Sequence, residues 1–383
     1  MPSYFITIAL LFFAWRIFLF LPLTIAELFL PPRLGYGYTL FSYFLENGSI
    51  LSNFLLYPFA NFDGAYYLKI AANGYTINAG FFPLFPLSIH LISSIFISNM
   101  PFLTTEYLSG SILVGLYFIF GLTVFYKLIR LDYENQVAAL SIVFLLIFPT
   151  SFFFAGIYSE SLFLLLSLLA FYFARKKNWF WAGIAGSLLS ATRVVGIAIF
   201  PSLLYEYFKN EKNKSPIKLL SIFLTPLGLI SYAFYNLLRW GNPFYFIQAQ
   251  GNFQNNRTVD SIVLFPQTIF RYVKMLITVN PAIYEWRVAL FEVLFFAFAG
   301  IMLYIGWRKN IRFSYLIFGA LCLLIPSLTG TLSGIPRYVL VIFPMFIVLA
   351  LIKNKLFKTL YAITSLILLF IFFMLFSKGY FIS

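Results

Sequence analysis

The sequence predicts an all-α protein that crosses a membrane several times. Of its 383 residues, 62% are hydrophobic and 10% are charged, whereas soluble domains carry roughly 25% charged residues. A soluble fold of this length needs more polar surface than such a composition supplies. Because apolar runs continue to the C-terminus, the pattern is typical of a polytopic membrane protein rather than a soluble domain with one anchor.

Apolar stretches along the chain account for the predicted helices. The first, ITIALLFFAWRIFLFLPLTIAELFL, is too long for a signal peptide and lacks a small-residue cleavage site, so we expect a retained span. Several others are shorter than the roughly 20 residues that cross hydrocarbon, as occurs where short helices line a cavity. The stretches lie near residues 5–30, 81–99, 107–129, 136–150, 157–174, 179–210, 217–238, 286–306, 313–329, 338–352 and 357–377.

The net charge of +14 does not indicate nucleic-acid binding, because the basic residues form short clusters between apolar runs. This is the pattern of cytoplasmic membrane loops, so we place these clusters inside the cell. For this sidedness to hold, the run 179–210 must turn near Arg193, and 81–106 must contain a helix that does not span. The clusters comprise Lys127 and Arg130; Arg175, Lys176 and Lys177; Lys209, Lys212, Lys214 and Lys218; Arg308, Lys309 and Arg312; and Lys353, Lys355 and Lys358.

The outer side then receives a first loop, residues 31–80, and the long stretch 239–285. Within the latter, SIVLFPQTIFRYVKMLITV has apolar residues at helical spacing, with Arg271 and Lys274 breaking the apolar face. This favours a helix lying in the membrane interface. A single cysteine and a single histidine give no cysteine-based or histidine-based metal site, and we expect no metal and no other cofactor.

Charged groups at membrane depth are costly and are therefore functional candidates. Asp63 begins DGAYYLKIAANG, a predicted short helix ended by Asn73 and Gly74. Its carboxylate could cap that helix. Alternatively, partly desolvated by Phe62 and Tyr66, it could act as a general base that takes a proton from an acceptor hydroxyl. Both interpretations stay open on the residues alone.

Three further charged residues stand out. Glu160, in YSESLF, fits either stabilisation of a helix first turn or a catalytic role. Arg193, in ATRVVGI, needs a counter-ion and could pair with Glu160 or Asp63, or hold a phosphate. Arg337, in IPRYVL, could reach the membrane interface with its long side chain or bind substrate.

At this point the motifs resemble a known family. NFDGAYYLKIAANGY followed by FFPLFP resembles the WDG…Y…IA…GY…FFPLFP signature of PIG-V-like mannosyltransferases, a branch of the GT-C glycosyltransferase superfamily. YSESLF, ATRVVGI, RWGNPFYFIQAQ and IPRYVLVIFPMF resemble further family elements in the same order. Phe62 stands where the family has Trp, Asn242 where it has Asp, and Val194 with Val195 where it has Ser-Asn.

The resemblance implies a fold and an activity. The fold is a GT-C-type bundle of about 10–11 transmembrane or partly spanning helices, a single domain over 1–383 with short interfacial helices in the first outer loop. The activity is an inverting glycosyl transfer, by family name of mannose, from a polyprenyl-phosphate sugar donor to an acceptor glycan or glycolipid on the outer or luminal face. The partners are therefore these substrates and membrane lipid, and not nucleic acid.

In such families an acidic residue of the first outer loop is the catalytic base, so the resemblance implies that role for Asp63. For the other residues we predict roles from their chemistry: Glu160 joins the catalytic site and orients the acceptor or Arg193, and the donor phosphate is held by Arg193, by Arg337 or by the pair Arg271 and Lys274. Tyr67 and Gln250 are further predicted substrate-binding residues. A composition rich in Phe, Ile, Lys and Asn favours a prokaryotic plasma membrane with an extracytoplasmic active site.

A transporter or flippase of a lipid-linked sugar is the alternative function. Its charged residues would line a route across the membrane, and transporters often carry inverted repeats and broken helices near the midplane. The sequence has no such symmetry, and its polar candidates collect at one surface.

Overall fold

The protein is built from helices. The computed structural model describes residues 3–45, 49–76, 79–95, 103–252 and 257–382. Within these ranges every regular element is a helix and no strand is present, which confirms the predicted all-α class. The α-helices, numbered along the chain, are α1 Ser3–Phe18, α2 Phe20–Phe29, α3 Ile50–Leu55, α4 Asp63–Asn73, α5 Leu84–Ser93, α6 Thr104–Ile129, α7 Asn135–Leu146, α8 Glu160–Arg175, α9 Trp179–Ser190, α10 Ile199–Asn210, α11 Pro216–Ile222, α12 Leu227–Trp240, α13 Tyr245–Gln248, α14 Phe265–Thr278, α15 Tyr284–Arg308, α16 Phe313–Ser327, α17 Ile335–Tyr338, α18 Pro344–Leu351 and α19 Lys355–Ser377.

Several helices are long and apolar enough to cross a membrane. A helix suits this role because it satisfies its own backbone hydrogen bonds in hydrocarbon. Among the described residues, four spans meet that length and composition: Tyr4–Phe29, Thr104–Ile129, Tyr284–Arg308 and Lys355–Ser377. A fifth candidate is the pair α11 and α12, which is bent by 48°. The shorter apolar helices are α5, α7 and α16. The chain is an integral membrane protein.

The contacts divide the chain into two compact units. The first unit contains residues within 1–76, 83–165 and 352–382, and the second contains residues within 77–82 and 166–351. The single domain expected over 1–383 stays a prediction.

The first unit has an aromatic core. Its helices α1, α5 and α7 pack on α6, and α19 packs on α2. The ring centre of Phe152 lies 4.9 Å from the ring centre of Phe373 and 5.1 Å from that of Phe376. These contacts place the end of α19 beside the turn that precedes α8.

The second unit depends on close helix approach at small residues. Helix α9 packs on both α11 and α12. A Cβ atom added to Gly183 would lie 1.9 Å from the carbonyl oxygen of Ser221, and one added to Gly228 would lie 2.0 Å from that of Ser187. Small residues permit such backbone contact between helices in membranes.

Local expectations from the sequence match these elements. Helix α4 ends at Asn73 with Gly74 at φ 73° and ψ −171°, a positive φ that glycine adopts without strain. Helix α9 ends before Arg193 and α10 begins after it, so the run 179–210 is interrupted at Arg193, and the reversal of direction there stays a prediction. Helix α5 has 10 residues, too few to cross hydrocarbon. Helix α14 forms within the stretch 239–285, and its orientation in the interface stays a prediction.

Candidate functional site

In the first unit, Asp63 is the first residue of α4 and is half-buried. A carboxylate in a helix first turn is stabilised by the positive end of the helix dipole. Tyr66 lies close enough to be affected by this charge. Burial raises the pKa of Tyr66, and the negative charge of Asp63 raises it further. Asp63 therefore combines a position at the start of a helix with a partly exposed side chain.

The residue before Asp63 has a strained backbone. Phe62 adopts φ 56° and ψ −118°, a region that favours glycine and costs on the order of 1–3 kcal/mol for other residues. Its amide donates to the carbonyl oxygen of Thr39 at 2.7 Å, and its ring contacts those of Phe376 and Phe381 at 5.1 and 5.5 Å. These contacts fix the turn that precedes α4.

Asn61 fixes the same turn from inside the unit. It is 2% exposed, and its side-chain oxygen accepts the amide of Phe41 at 2.9 Å. Its side-chain nitrogen donates to the carbonyl oxygens of Phe376 and Ser377, both at 3.3 Å. The asparagine therefore ties the Asp63 turn to the first loop and to the end of α19. Nothing in the sequence indicates this role, because its partners Phe376 and Ser377 lie more than 300 residues away along the chain.

The segment before α8 runs beside this turn. The amide of Ile157 donates to the carbonyl oxygen of Phe59 at 2.7 Å, and the hydroxyl of Tyr158 donates to that of Asn61 at 2.7 Å. Gly64 permits the approach, because an added Cβ would lie 3.3 Å from the carbonyl oxygen of Ile157. The start of α4 and the start of α8 are thus bound together.

Two predicted site residues lie at this junction. The hydroxyl of Tyr67, which is 6% exposed, donates to Ser159 Oγ at 3.1 Å. The next residue, Glu160, is the first of α8 and is 1% exposed. Of the two carboxylates in this unit that the sequence singled out, Asp63 is partly exposed and Glu160 is buried. Tyr67 and Glu160 are placed to orient their surroundings.

In the second unit, arginines converge on one tyrosine. The guanidinium carbon of Arg193 lies 4.5 Å from the ring centre of Tyr338, and that of Arg337 lies 5.4 Å away. Arg257 donates from Nη2 to the Tyr338 hydroxyl at 3.0 Å. We call these four residues the arginine cluster. Arg337 is 8% exposed, whereas Arg193 and Arg257 are half-exposed.

The charge of the cluster changes the acidity of its tyrosine. Burial alone would raise the pKa of Tyr338, but the positive charges of Arg257, Arg337 and Arg193 outweigh it and lower that pKa to about 7. Guanidinium groups concentrated in this way favour an anion, and phosphate and carboxylate match their planar donor geometry.

Gln250 holds the cluster through Arg257. Its side-chain oxygen accepts from Arg257 Nη1, and its side-chain nitrogen donates to the carbonyl oxygen of Gly80 at 3.0 Å. The sequence singled out Gln250, Arg193 and Arg337 but not Arg257. The only signal for Arg257 was its place in the polar stretch 239–285, and Tyr338 was visible only as the neighbour of Arg337.

The two basic residues of α14 differ in their relation to this cluster. Arg271 donates to the carbonyl oxygen of Gly330 at 3.3 Å and to Thr258 Oγ1 at 3.4 Å, so it borders the loop that leads to α17. Lys274 is exposed one turn farther along. In the part of the chain that the structure describes, it is not among the residues that contact Tyr338.

A comparison with protein families agrees with the resemblance carried by the sequence motifs. A model of the family described as Mannosyltransferase (PIG-V) matches residues 3–239, more than half of the chain. The matched region includes Asp63, Glu160 and Arg193 but not Arg257 or Arg337. No curated protein matches the chain.

Two crystal structures of the oligosaccharyltransferase of Archaeoglobus fulgidus are similar to the chain at 12% identity. The one tethered with an acceptor peptide has a TM-score of 0.41 and covers 83% of this chain and 51% of that chain. The apo form has a TM-score of 0.40, and the match covers 97% of this chain and 56% of the oligosaccharyltransferase chain. The chain thus spans about half the length of these oligosaccharyltransferases.

Proposed function

Because the chain belongs to the mannosyltransferase (PIG-V) family and is therefore a membrane glycosyltransferase, we propose its donor, mechanism and sidedness. It moves mannose from a polyprenyl-phosphate donor to an acceptor glycan or glycolipid, with inversion at the anomeric carbon. The reaction takes place on the extracytoplasmic face of a prokaryotic plasma membrane. The sugar donor and glycan acceptor follow from the family, and the finer assignments are the proposal.

The observation that carries the donor assignment is the stacking of Arg193 and Arg337 on Tyr338. When the bond from the anomeric carbon to the phosphate oxygen breaks, its electron pair leaves with the polyprenyl phosphate. Cationic groups at that oxygen stabilise the charge that develops there. A lipid phosphate suits this protein, because the polyprenyl tail stays in the apolar phase while the phosphate reaches the arginines.

Asp63 supplies the base in this proposal. The acceptor hydroxyl oxygen forms a bond to the anomeric carbon as the phosphate leaves on the opposite side, and the hydroxyl proton passes to the Asp63 carboxylate. Its half-buried position at the start of α4 allows contact with an acceptor. The buried Glu160 and Tyr67 orient the residues around it.

Sidedness is supported by where the basic residues fall along the chain. Basic clusters lie at or just after the C-terminal ends of α6, α8, α10, α15 and α18. The segment with Asp63 and the connections that carry Arg193 and Arg337 lie at the alternate helix ends. By the rule that cytoplasmic loops are rich in Lys and Arg, these residues belong to the outer face.

A donor comparison tests the proposal. The purified full chain in detergent receives either a synthetic polyprenyl-phosphate mannose of known anomeric configuration or a nucleotide-linked mannose, with a mannose-terminated glycolipid as acceptor. We expect transfer from the lipid donor alone, with the opposite configuration in the product. Transfer from the nucleotide donor, or retained configuration, contradicts the proposal. Movement of the lipid donor across proteoliposomes without any transfer would favour a transporter.

A further inference from the structure

Arg257 has the geometry of a prepared ligand-binding arginine. Its guanidinium is fixed at two nitrogens: Nη1 donates to Gln250 Oε1, and Nη2 donates to the Tyr338 hydroxyl at 3.0 Å and more weakly to the carbonyl oxygen of Ser333 at 3.4 Å. Gln250 is held in turn by Gly80. An arginine fixed in this way loses little side-chain entropy when it binds a ligand.

The guanidinium still has donors to offer. It carries five N–H groups in a planar fork, and three of them account for the bonds to the described residues Gln250, Tyr338 and Ser333. Arg257 is half-exposed, whereas Arg337 is 8% exposed. Arg257 is therefore the more exposed of these two arginines of the cluster.

The described hydrogen-bond partners of Arg257 are an amide oxygen, a phenol oxygen and a carbonyl oxygen, and the charge of the buried Glu292 acts on it without a hydrogen bond between them. The oxygens of Gln250 and Ser333 orient the fork and carry no charge. Tyr338 can cancel at most one of the three positive charges of the cluster, so positive charge stays available there. This is the arrangement expected of a group that must attract an anion. A lipid-borne phosphate presents the oxygen geometry that arginine binds with two parallel hydrogen bonds.

We propose that Arg257 binds the donor phosphate directly, and that Gln250 and Tyr338 are positioning residues that orient its guanidinium. This inference rests on the proposed lipid-phosphate donor and adds a residue to that site. It assigns a role to the stretch 239–285, which lies beyond the region matched by the family. Tyr338 supports Arg257 through its hydroxyl and supports Arg193 and Arg337 through its ring.

Binding of a polyprenyl monophosphate that carries no sugar tests this assignment without requiring transfer. The full chain in detergent is titrated with this lipid, for the wild type, Arg257→Gln, Arg257→Lys and Tyr338→Phe. Loss of charge-assisted hydrogen bonds predicts binding weakened roughly 10- to 100-fold in Arg257→Gln. Arg257→Lys retains the charge but not the fork, so we expect an intermediate loss. Tyr338→Phe retains the ring, so its loss should be smaller than that of Arg257→Gln.

Arg287→Gln is the matched control, because Arg287 is an exposed arginine of α15 in the same unit. It should bind the lipid as the wild type does. Unchanged binding in a folded Arg257→Gln variant overturns the inference. If Arg257→Gln does not fold, Arg257→Lys decides: binding as tight as wild type overturns the assignment, and weaker binding in a protein with wild-type melting supports it.

Steady-state kinetics separate this inference from the proposed function. In the variants that bind the phosphate poorly, the KM for polyprenyl-phosphate mannose should rise while the KM for the acceptor stays constant. A wild-type protein that binds the monophosphate but transfers no mannose refutes the proposed function and leaves Arg257 to be judged by binding. Transfer by the wild type with an unchanged donor KM in Arg257→Gln refutes the role of Arg257 alone.

Discussion

Asn61→Ala tests whether the turn before Asp63 is held in place by one buried amide. The substitution removes the acceptor of the buried Phe41 amide at 2.9 Å and the donor to two carbonyl oxygens at 3.3 Å. A buried N–H group left without a partner costs about 1–3 kcal/mol. The carbonyl oxygen of Phe376 also accepts the amide of Gly379 at 3.2 Å, so its loss is smaller. We expect the free energy of unfolding to fall by about 2–4 kcal/mol in total.

The assay is equilibrium unfolding of the full chain in mixed micelles, followed by tryptophan fluorescence. Asn53→Ala is the control, because Asn53 is an exposed asparagine of the same first loop, where substitutions usually change stability by less than about 0.5 kcal/mol. Mannose transfer should also fall in Asn61→Ala under conditions where it remains folded, because the turn that presents Asp63 is loosened. Equal stability of the Asn61 and Asn53 variants would refute the reasoning.

Three further changes have defined outcomes. Gly228→Ala places a Cβ 2.0 Å from a backbone carbonyl oxygen of α9 and should lower the free energy of unfolding by about 1–3 kcal/mol or more. The control Gly300→Ala places a Cβ with no atom within 4 Å and should not lower it. Equal melting temperatures of the two variants would contradict this expectation. Tyr272→Phe removes a 2.5 Å hydrogen bond to the buried Glu292 and should cost about 1–3 kcal/mol, measured by the same unfolding assay. Arg193→Ala should raise the donor KM roughly tenfold by removing a charge-assisted contact, and an unchanged KM would make this arginine structural.

Local signals allowed the sequence to predict short elements near Asp63 and Arg193. Helix α4 ends at Asn73, where Gly74 adopts a positive φ that other residues rarely take. The interruption at Arg193 was expected because the basic clusters were placed on one side of the membrane. Both features depend on neighbouring residues or on simple charge patterning. The resemblance to PIG-V-like proteins is confirmed by the family match.

Long-range pairing was beyond the reach of the sequence. The partners of Asn61 at Phe376 and Ser377 lie more than 300 residues away, and nothing in the spacing of NFDG points to them. Arg257 joins Tyr338 across 81 residues. Lys274 was grouped with Arg271 because both break one helix face, but only Arg271 borders the loop that leads to the arginine cluster. The roles of the site residues in catalysis stay predictions.

The central claim is that the Asp63 carboxylate accepts the acceptor's proton, and Asp63→Asn tests it most directly. The amide keeps the size of the side chain and its preference for the start of a helix, so folding and binding of polyprenyl monophosphate should match the wild type. Asp260→Asn, at an exposed aspartate, serves as the control. We expect transfer from polyprenyl-phosphate mannose to fall by roughly 100-fold or more in Asp63→Asn and to stay unchanged in Asp260→Asn. Transfer by Asp63→Asn within twofold of the wild type would contradict the account.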